Sequence, residues 1–283
     1  MNKKEFIMLS SLKKVFGTKN SKLLEASKSK KLFEPEIDEN NAKIRQIEGI
    51  YDYCTRNGIK ILSNSDRDYP RNLKRISNSP PILYCRGDIA LLNKRSVSIV
   101  GSRESSKDSI KWAYDLAKDL IEKDIVLVSG GAKGIDTAVH KATVDSEGST
   151  ICVVGTGLDN LYPGENKELF DKIAKTGLII SEIEPSGHVN KFSLLERNRI
   201  TSGISDGILI VTSKINGGSM EQFKTAQKQM KKVFVPKKDL YPSDGIEAMI
   251  SNNAIPIESS DDIVREVYGN KSNLRKNEKL VYS

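Results

Sequence analysis

The sequence predicts an α/β fold, in which a doubly wound and mainly parallel sheet follows a small helical domain at the N-terminus. Two patterns indicate it. From residue 97 onward, short apolar runs alternate with helical stretches across short links, which is typical of repeated βα units. Before residue 58, apolar side chains recur with helical spacing. We therefore predict a helical domain over residues 1–58, a connector that starts the sheet over 59–96, the sheet domain over 97–270 and a polar, basic tail over 271–283.

The helical domain is expected to contain about three short helices. Gly17 and the region of Pro35 break the first segments, and Gly58 ends the last one as a C′ glycine. The loop 17–20 between two of these helices could contact a phosphate, as a helix-hairpin-helix motif does. A plain interhelical loop is the better interpretation, because this loop holds only one glycine.

The connector and the sheet domain supply the strands. In the connector, Ile59–Leu62 and Ile82–Tyr84 are strand candidates, and the segments Tyr69-Pro70 and Pro80-Pro81 lie between them. Six further strands, mostly continuous apolar runs that suit a sheet covered on both faces, are predicted at Val97–Val100, Ile125–Ser129, Thr150–Val154, Gly177–Ser181, Gly207–Val211 and Lys232–Val235. The helices between and after them are predicted at about 107–123, 135–146, 165–175, 196–203, 218–230, 245–251 and 260–268.

Composition limits the class of protein. A chain of 283 residues with 37% hydrophobic content can form one large domain and a smaller one. It has no run of about 18 apolar residues and no signal-peptide core after Met1, so we expect a soluble, cytoplasmic protein without membrane contact. The three cysteines are far apart and only two histidines are present, so we expect no disulfide framework and no metal site. We also expect no cofactor.

The net charge of +8 is concentrated at the two ends of the chain. Residues 1–34 hold nine Lys against three Glu, and residues 271–283 hold four basic residues against one Glu, so these ends carry +6 and +3. Residues 35–270 are therefore left with −1. An anion site in the sheet domain has to come from the local placement of individual Arg and Lys side chains, while the basic ends add only nonspecific attraction to a polyanion.

Two glycine-containing turns follow the first two strands of the sheet domain. They read Gly101-Ser102-Arg103 and Ser129-Gly130-Gly131-Ala132-Lys133-Gly134-Ile135-Asp136. The glycines let backbone N–H groups and a helix N-terminus approach a phosphate, and Arg103 and Lys133 supply the countercharge. Asp136 is expected to cap or order its loop rather than act as a base. These turns predict a site for a phosphate polymer or a nucleotide at the carboxyl edge of the sheet, against the alternative of a tight βα turn with a solvated Arg103.

A dinucleotide site is disfavoured, because the G-x-G-x-x-G fingerprint would need glycines where Arg103 and Ser106 stand. Two other segments point to the same edge. Gly155-Thr156-Gly157 with Tyr162 could cradle or stack on a base, or simply form a rim. The segment Arg197-Asn198-Arg199 lies on a predicted helix, where arginines two residues apart diverge. One of them is expected to bind phosphate while the other pairs with an acid; a helix surface with a Glu196 ion pair is the alternative.

Together these segments resemble the DNA-processing protein A family, also called DprA or Smf. The resemblance rests on the order and spacing of several motifs: Asp68-Tyr69-Pro70, Pro80-Pro81 through Gly87-Asp88, Ile99 to Arg103, Ser129 to Asp136, Gly155 to Pro163 and Arg197 to Ile200. It covers nearly the whole chain, although the helical front is only weakly similar to the sterile-alpha-motif-like domain of that family.

The resemblance implies an extended Rossmann-like domain that binds single-stranded DNA without strong sequence preference and passes it to a RecA-type recombinase, in recombination and natural transformation. It implies a binding protein rather than an enzyme, and a homodimer that joins two pockets. The phosphate-binding roles fall on Arg103, Lys133, Asn198 and either Arg197 or Arg199, with backbone contacts from Gly101, Ser102, Gly130, Gly131 and Gly134.

The chain departs from the family in three places. Glu196 puts an anion beside the pocket, Asn216-Gly217-Gly218-Ser219 stands where Ser-Gly-Ser is usual, and no winged-helix domain is expected because the sequence stops at Ser283. The alternative to a DNA-binding module is an enzyme or sensor of nucleotides. Related phosphoribohydrolases carry Pro-Gly-Gly-x-Gly-Thr-x-x-Glu, and the segment 217–221 keeps part of it without the Pro and the Thr. A ligand-sensing domain of a defence or stress system is a third possibility.

Overall fold

The structure is a computed structural model that describes residues 48–237 and 244–269. Most of the predicted helical domain over 1–58, including the loop 17–20, lies outside the described residues, and so does the tail over 271–283. Within these two described ranges, no helix has both the length and the apolarity that crossing a lipid bilayer requires.

In the described part of the chain, nine strands form a single sheet. In chain order they are β1 (Lys60–Ser63), β2 (Ile82–Gly87), β3 (Ser96–Val100), β4 (Val126–Ser129), β5 (Thr150–Val153), β6 (Leu178–Ser181), β7 (Gly207–Ile210), β8 (Lys232–Pro236) and β9 (Ile255–Ile257). Across the sheet the order is β1-β2-β6-β5-β4-β3-β7-β8-β9. Strand β2 pairs antiparallel with β1 and β6, and every other pair is parallel. The sheet is therefore mainly parallel, as predicted.

Helices cover both faces of this sheet. They are α1 (48–56), α2 (Arg71–Lys74), α3 (Lys107–Ile121), α4 (Ile135–Asp145), α5 (Lys167–Thr176), α6 (Lys191–Ile204), α7 (Gly218–Lys228), α8 (Asp244–Ser251) and α9 (Ser260–Tyr268). Apolar residues of α1, α3, α4, α5 and α9 pack on one face, and those of α2, α6, α7 and α8 pack on the other. This doubly wound, Rossmann-like arrangement confirms the predicted fold class.

The central strand β3 shows why the sheet is covered on both sides. Val97 and Ile99 point to the face that carries α3 and α4, and Val100 points to the face that carries α7. Ser98 also faces the second side, where its Oγ donates to the carbonyl of Thr201 at 2.7 Å. A strand buried on both faces needs this continuous apolar run, with its occasional polar side chain hydrogen-bonded.

The predicted elements agree with the observed ones except that the short helix α2 was not predicted, and two further differences matter for the site. Strand β9 was not predicted, because Pro256 interrupts a run of only three residues at the edge of the sheet. Helix α6 begins at Lys191, five residues before the predicted start. A capping box explains the early start: Asn190 Oδ1 accepts from the Ser193 N–H at 2.8 Å, and Ser193 Oγ accepts from the Asn190 N–H at 3.1 Å.

The buried imidazole of His140 lies on α4 beside Thr150, the first residue of β5. Its Nδ1 lies 2.9 Å from the hydroxyl of Thr150, and its side chain has no exposed surface. Burial lowers the pKa of His140 to about 3. The folded protein therefore keeps this histidine neutral in mildly acidic solution.

Acidification should destabilise the fold through His140. An unfolded imidazole titrates near pH 6.5, so below that pH only the unfolded state gains this proton, and the free energy of unfolding falls by about 1.4 kcal/mol per pH unit. The loss from pH 7 to pH 5 is about 2 kcal/mol, which urea unfolding at each pH measures. His140→Gln should remove this part of the pH dependence and the exposed His188→Gln should keep it. Equal pH slopes in the two variants would contradict the assignment.

Candidate functional site

A crevice of about 810 Å³ opens at the carboxyl edge of the sheet, at the point where the strand order reverses between β3 and β7. The chain continues from β3 toward β4 on one side and from β7 toward β8 on the other, so the loops after these two strands diverge and leave a gap. Its walls come from the loops after β3, β4 and β7 and from the first turns of α6 and α7. Among the predicted site residues, the lining includes Gly101, Ser102, Arg103, Arg197 and Asn198.

The two predicted glycine turns touch each other at Gly134. Its φ of 79° lies in the region that favours glycine. A Cβ at this position would lie 2.6 Å from the carbonyl oxygen of Ser102 and 2.9 Å from that of Arg103. A side chain at Gly101 would be equally crowded, because its Cβ would lie 2.5 Å from Ile135 Cγ1. These contacts fix the backbone of Arg103 against the N-terminus of α4.

The carboxylate of Asp136 fills the inside of the second turn. It accepts hydrogen bonds from the N–H groups of Gly130 at 3.1 Å and Ala132 at 3.3 Å, and the side chain is buried. Burial raises the pKa of this carboxyl, and the charge of Arg197 acts in the opposite direction. Asp136 thus orders its loop, as predicted. Two N–H groups of the turn are therefore bonded to the protein itself, and a ligand would meet the outer part of the turn.

Arg197 lies at the back of the crevice and is 8% exposed. Its Nη1 donates to the carbonyls of Gly130 and Val153, both at 2.5 Å. A Cβ on Gly130 would lie 2.0 Å from that nitrogen, so only glycine leaves room for the guanidinium. Burial lowers the pKa of Arg197, while the carboxylate of Asp136 counteracts this. The guanidinium therefore joins the ends of β4 and β5 to α6.

The neighbouring residues of this segment face in different directions. Arg199 is buried on the other side of α6, where its guanidinium pairs with Glu182 and its Nε lies 3.5 Å from Glu196 Oε2. Asn198 is half-buried in the crevice wall, and its carbonyl accepts from Gln222 Nε2 of α7 at 2.9 Å. The predicted pairing of one arginine with an acid is met by Arg199. The phosphate contact assigned to the other arginine stays a prediction.

Two exposed cations of the crevice wall have no hydrogen-bonding or ion-pairing partner within the described ranges. Arg103 follows β3, and Lys191 is the first residue of α6. Neither side chain is engaged by another described residue. The guanidinium of Arg103 and the ammonium of Lys191 can therefore each bind an anion without breaking an existing contact.

Two other lysines near the crevice are already paired. Lys133 Nζ lies 2.5 Å from Glu165 Oε1, and this hydrogen bond raises the pKa of Lys133. Lys214 Nζ, on the loop after β7, lies 2.8 Å from Glu104 Oε2. Lys214 and Glu104 belong to the crevice lining, whereas Lys133 lies outside it. Lys133 is thus a weaker candidate for a direct ligand contact than Arg103.

Large apolar side chains stand exposed along one side of the crevice. Tyr162, Val189 and Leu195 line it with 45%, 38% and 43% of their surface exposed, and Phe192, one turn from Leu195 on α6, is 68% exposed. We call these four residues the apolar rim. An apolar patch beside a polar cleft is typical of a binding surface, because a ligand that covers it removes apolar surface from water. Flat rings such as nucleobases suit a surface of this kind.

Sequence reasoning missed Lys191, which lines this crevice, and Phe192, which stands exposed beside it on α6. It started the helix at residue 196, so both residues fell in a loop without an assigned direction. The sequence does carry a signal, since Asn190 followed three residues later by Ser193 can form the capping box that starts α6. By contrast, Tyr162 was singled out correctly as a residue of the same edge.

Comparison with known sequences gives one family. A family model described as DNA recombination-mediator protein A matches residues 60–268. The chain is also 37% identical, over 203 residues, to a DNA processing protein DprA of Streptococcus pneumoniae, and the match spans 71% of this chain and 72% of that protein.

Comparison with solved structures agrees. An X-ray structure of DNA processing protein A from Streptococcus pneumoniae superposes with a TM-score of 0.73 and 28% identity, covering 94% of this chain and 93% of that one. A DNA processing protein A from Helicobacter pylori, solved to study its single-stranded DNA binding mode, superposes with a TM-score of 0.67 and 31% identity, covering 74% of this chain and 94% of that one.

Gly134→Ala should disrupt the contact between the two glycine turns. The new Cβ collides with two backbone carbonyls and the residue keeps a positive φ, so we expect a loss of about 2–4 kcal/mol in the free energy of unfolding. Gly58→Ala is the matched control, because Gly58 has a φ of 64° but would meet nothing within 4 Å. It should cost only about 1 kcal/mol. Urea unfolding measures both, and equal losses would refute the contact.

Proposed function

The chain belongs to the DNA recombination-mediator protein A family, and we propose that it binds single-stranded DNA in the crevice between β3 and β7. The observation that carries the proposal is the placement of Arg103 and Lys191, two cations without a partner among the described residues, in the wall of one crevice that has the apolar rim along its side. The Helicobacter pylori relative, which shares this fold at 31% identity, is described as binding single-stranded DNA.

Phosphates would bind on the cationic side of the crevice. The guanidinium of Arg103 can donate two parallel hydrogen bonds to a phosphate, and Lys191 adds a mobile point charge. The outer face of the glycine turns adds the N-terminus of α4, where the helix dipole favours an anion. Because the domain is nearly neutral as a whole, binding depends on these few contacts rather than on a broad positive field.

Bases would lie on the apolar rim. Phe192 and Tyr162 offer exposed aromatic faces, on which any base can stack without a sequence-specific hydrogen bond. In a duplex, the base faces are covered by their neighbours in the stack, so this rim favours an unpaired strand. Because stacking is possible for every base, DNA bound in this way would be held without strong sequence preference.

Two acidic residues of the crevice, Glu221 and Asp136, support binding rather than catalysis. Glu221, which the nucleotide-hydrolase alternative would use, pairs with Lys224 at 2.8 Å, and Asp136 is buried and bonded to backbone N–H groups. A general acid or base has to be available to the substrate, and the buried Asp136 is not. We therefore propose a binding protein and not an enzyme.

We also propose that the protein acts in the cytoplasm as a homodimer that passes its bound strand to a RecA-type recombinase. The description of the family as a recombination mediator supports the transfer. Few cations of one crevice lack a partner among the residues that the structure describes, which supports the dimer, because a second crevice would double the phosphate contacts available to one strand.

Arg103→Ala should weaken binding of single-stranded DNA about tenfold at low salt, since it removes a charge-assisted phosphate contact. It should also reduce the slope of log affinity against log salt by about 0.7. Fluorescence anisotropy with a labelled oligo-dT over a salt series measures both quantities. Arg265→Ala is the matched control. Arg265 lies one turn before Tyr268, whose hydroxyl donates to Ser96 at the amino end of β3, so it sits at the opposite edge. Equal losses in the two variants would remove Arg103 from the site.

Phe192→Ala should weaken binding at least fivefold, because stacking on an aromatic side chain is worth about 1–3 kcal/mol per base. An abasic oligonucleotide of the same length should bind the wild-type chain and this variant equally, since it has phosphates but no bases to stack. Met230→Ala, at an exposed apolar residue beyond the end of α7, should change neither affinity. A loss of the same size with the abasic strand would show that Phe192 does not stack on a base.

A further inference from the structure

Glu104 and Lys214 form an ion pair across the mouth of the crevice. Lys214 Nζ lies 2.8 Å from Glu104 Oε2. The two residues come from the loops after β3 and β7, which are the neighbouring strands at the point where the strand order reverses, and both line the crevice. The pair therefore spans the gap between the two loops that form the site.

This pair contributes little to the fold. Its side chains are 69% and 81% exposed, and an exposed ion pair is worth about 0–1 kcal/mol. The two loops are held together instead by Thr212, whose hydroxyl accepts from the Ser102 N–H at 3.0 Å and lies 2.8 Å from Ser105 Oγ. The ion pair thus has more effect on the charge of the crevice than on its shape. Its hydrogen bond raises the pKa of Lys214 and lowers that of Glu104, so both groups stay charged.

Building on the proposed function, we infer that Glu104 is an internal competitor of phosphate and sets the affinity of the crevice for the DNA strand. A phosphate that binds Lys214 has to share its ammonium group with the carboxylate of Glu104 or displace that carboxylate. In either case the carboxylate lies beside the bound strand and repels it, since Glu104 follows Arg103 directly in the chain. When Lys214 binds a phosphate, fewer counterions leave the DNA than for an unpaired lysine, because Glu104 already neutralises the charge of Lys214. Glu104 therefore weakens the hold on the strand and eases its release.

The inference predicts a gain from a single isosteric change. Glu104→Gln should raise the affinity for a labelled oligo-dT about three- to fivefold at low salt, and should steepen the slope of log affinity against log salt by about 0.7. Glu266→Gln is the matched control, because it makes the same change of charge in an exposed pair, with Lys232 at 3.0 Å. Lys232 begins β8, so this pair lies at the opposite edge of the sheet.

A double-mutant cycle separates competition for Lys214 from a general effect of charge. Lys214→Gln should weaken binding, and in that background the gain from Glu104→Gln should be smaller than in the wild-type chain, because only the repulsion of the strand remains to be removed. Equal gains in the two backgrounds would show a general effect of charge without competition for Lys214. If the wild-type chain binds oligo-dT but Glu104→Gln gains no more than Glu266→Gln, the inference is wrong and the proposed function stands. If the wild-type chain does not bind oligo-dT, both are wrong.

Discussion

The guanidinium of Arg197 enters the sheet from α6 and donates to the carbonyls that end β4 and β5, at Gly130 and Val153. Taking such a charge out of water is costly, and the carbonyls together with the nearby carboxylate of Asp136 offset that cost. Asp136 in turn bonds the N–H groups of Gly130 and Ala132. One buried group thus fixes the second glycine turn and α6 at the same time, and the crevice has a defined shape because of it.

The consequences of this contact reach the exposed residues. The Gly130 turn carries Gly134, which packs against the carbonyls of Ser102 and Arg103 and so places the exposed guanidinium of Arg103. Helix α6 carries Lys191 and Phe192 at its first turn. A buried framework therefore holds a few exposed groups, as a scaffold holds a binding surface. Because residues 35–270 carry a net charge of only −1, each of these exposed cations matters individually.

Much of the fold could be predicted from the sequence, since continuous apolar runs alternate with helical stretches and buried parallel strands need such runs. The glycines at 101, 130 and 134 also located the edge that carries the crevice. What the pattern could not show was which charges are buried. The sequence predicts that one of Arg197 and Arg199 pairs with an acid without showing which; the structure pairs Arg199 with Glu182 and places Arg197 on backbone carbonyls at the back of the crevice. Pairings between residues far apart in the chain, such as Lys214 with Glu104, depend on topology and leave no local signal.

The central claim is that the crevice binds the phosphates and bases of an unpaired DNA strand. The most direct test measures the affinity of the wild-type chain for an oligo-dT, for a duplex of the same length and for a mononucleotide, each over a salt series. We expect the single strand to bind most tightly, with log affinity falling linearly against log salt by about 0.7 for each phosphate contacted. A mononucleotide that binds as tightly as the strand, with no dependence on salt, would contradict the account and favour a nucleotide site.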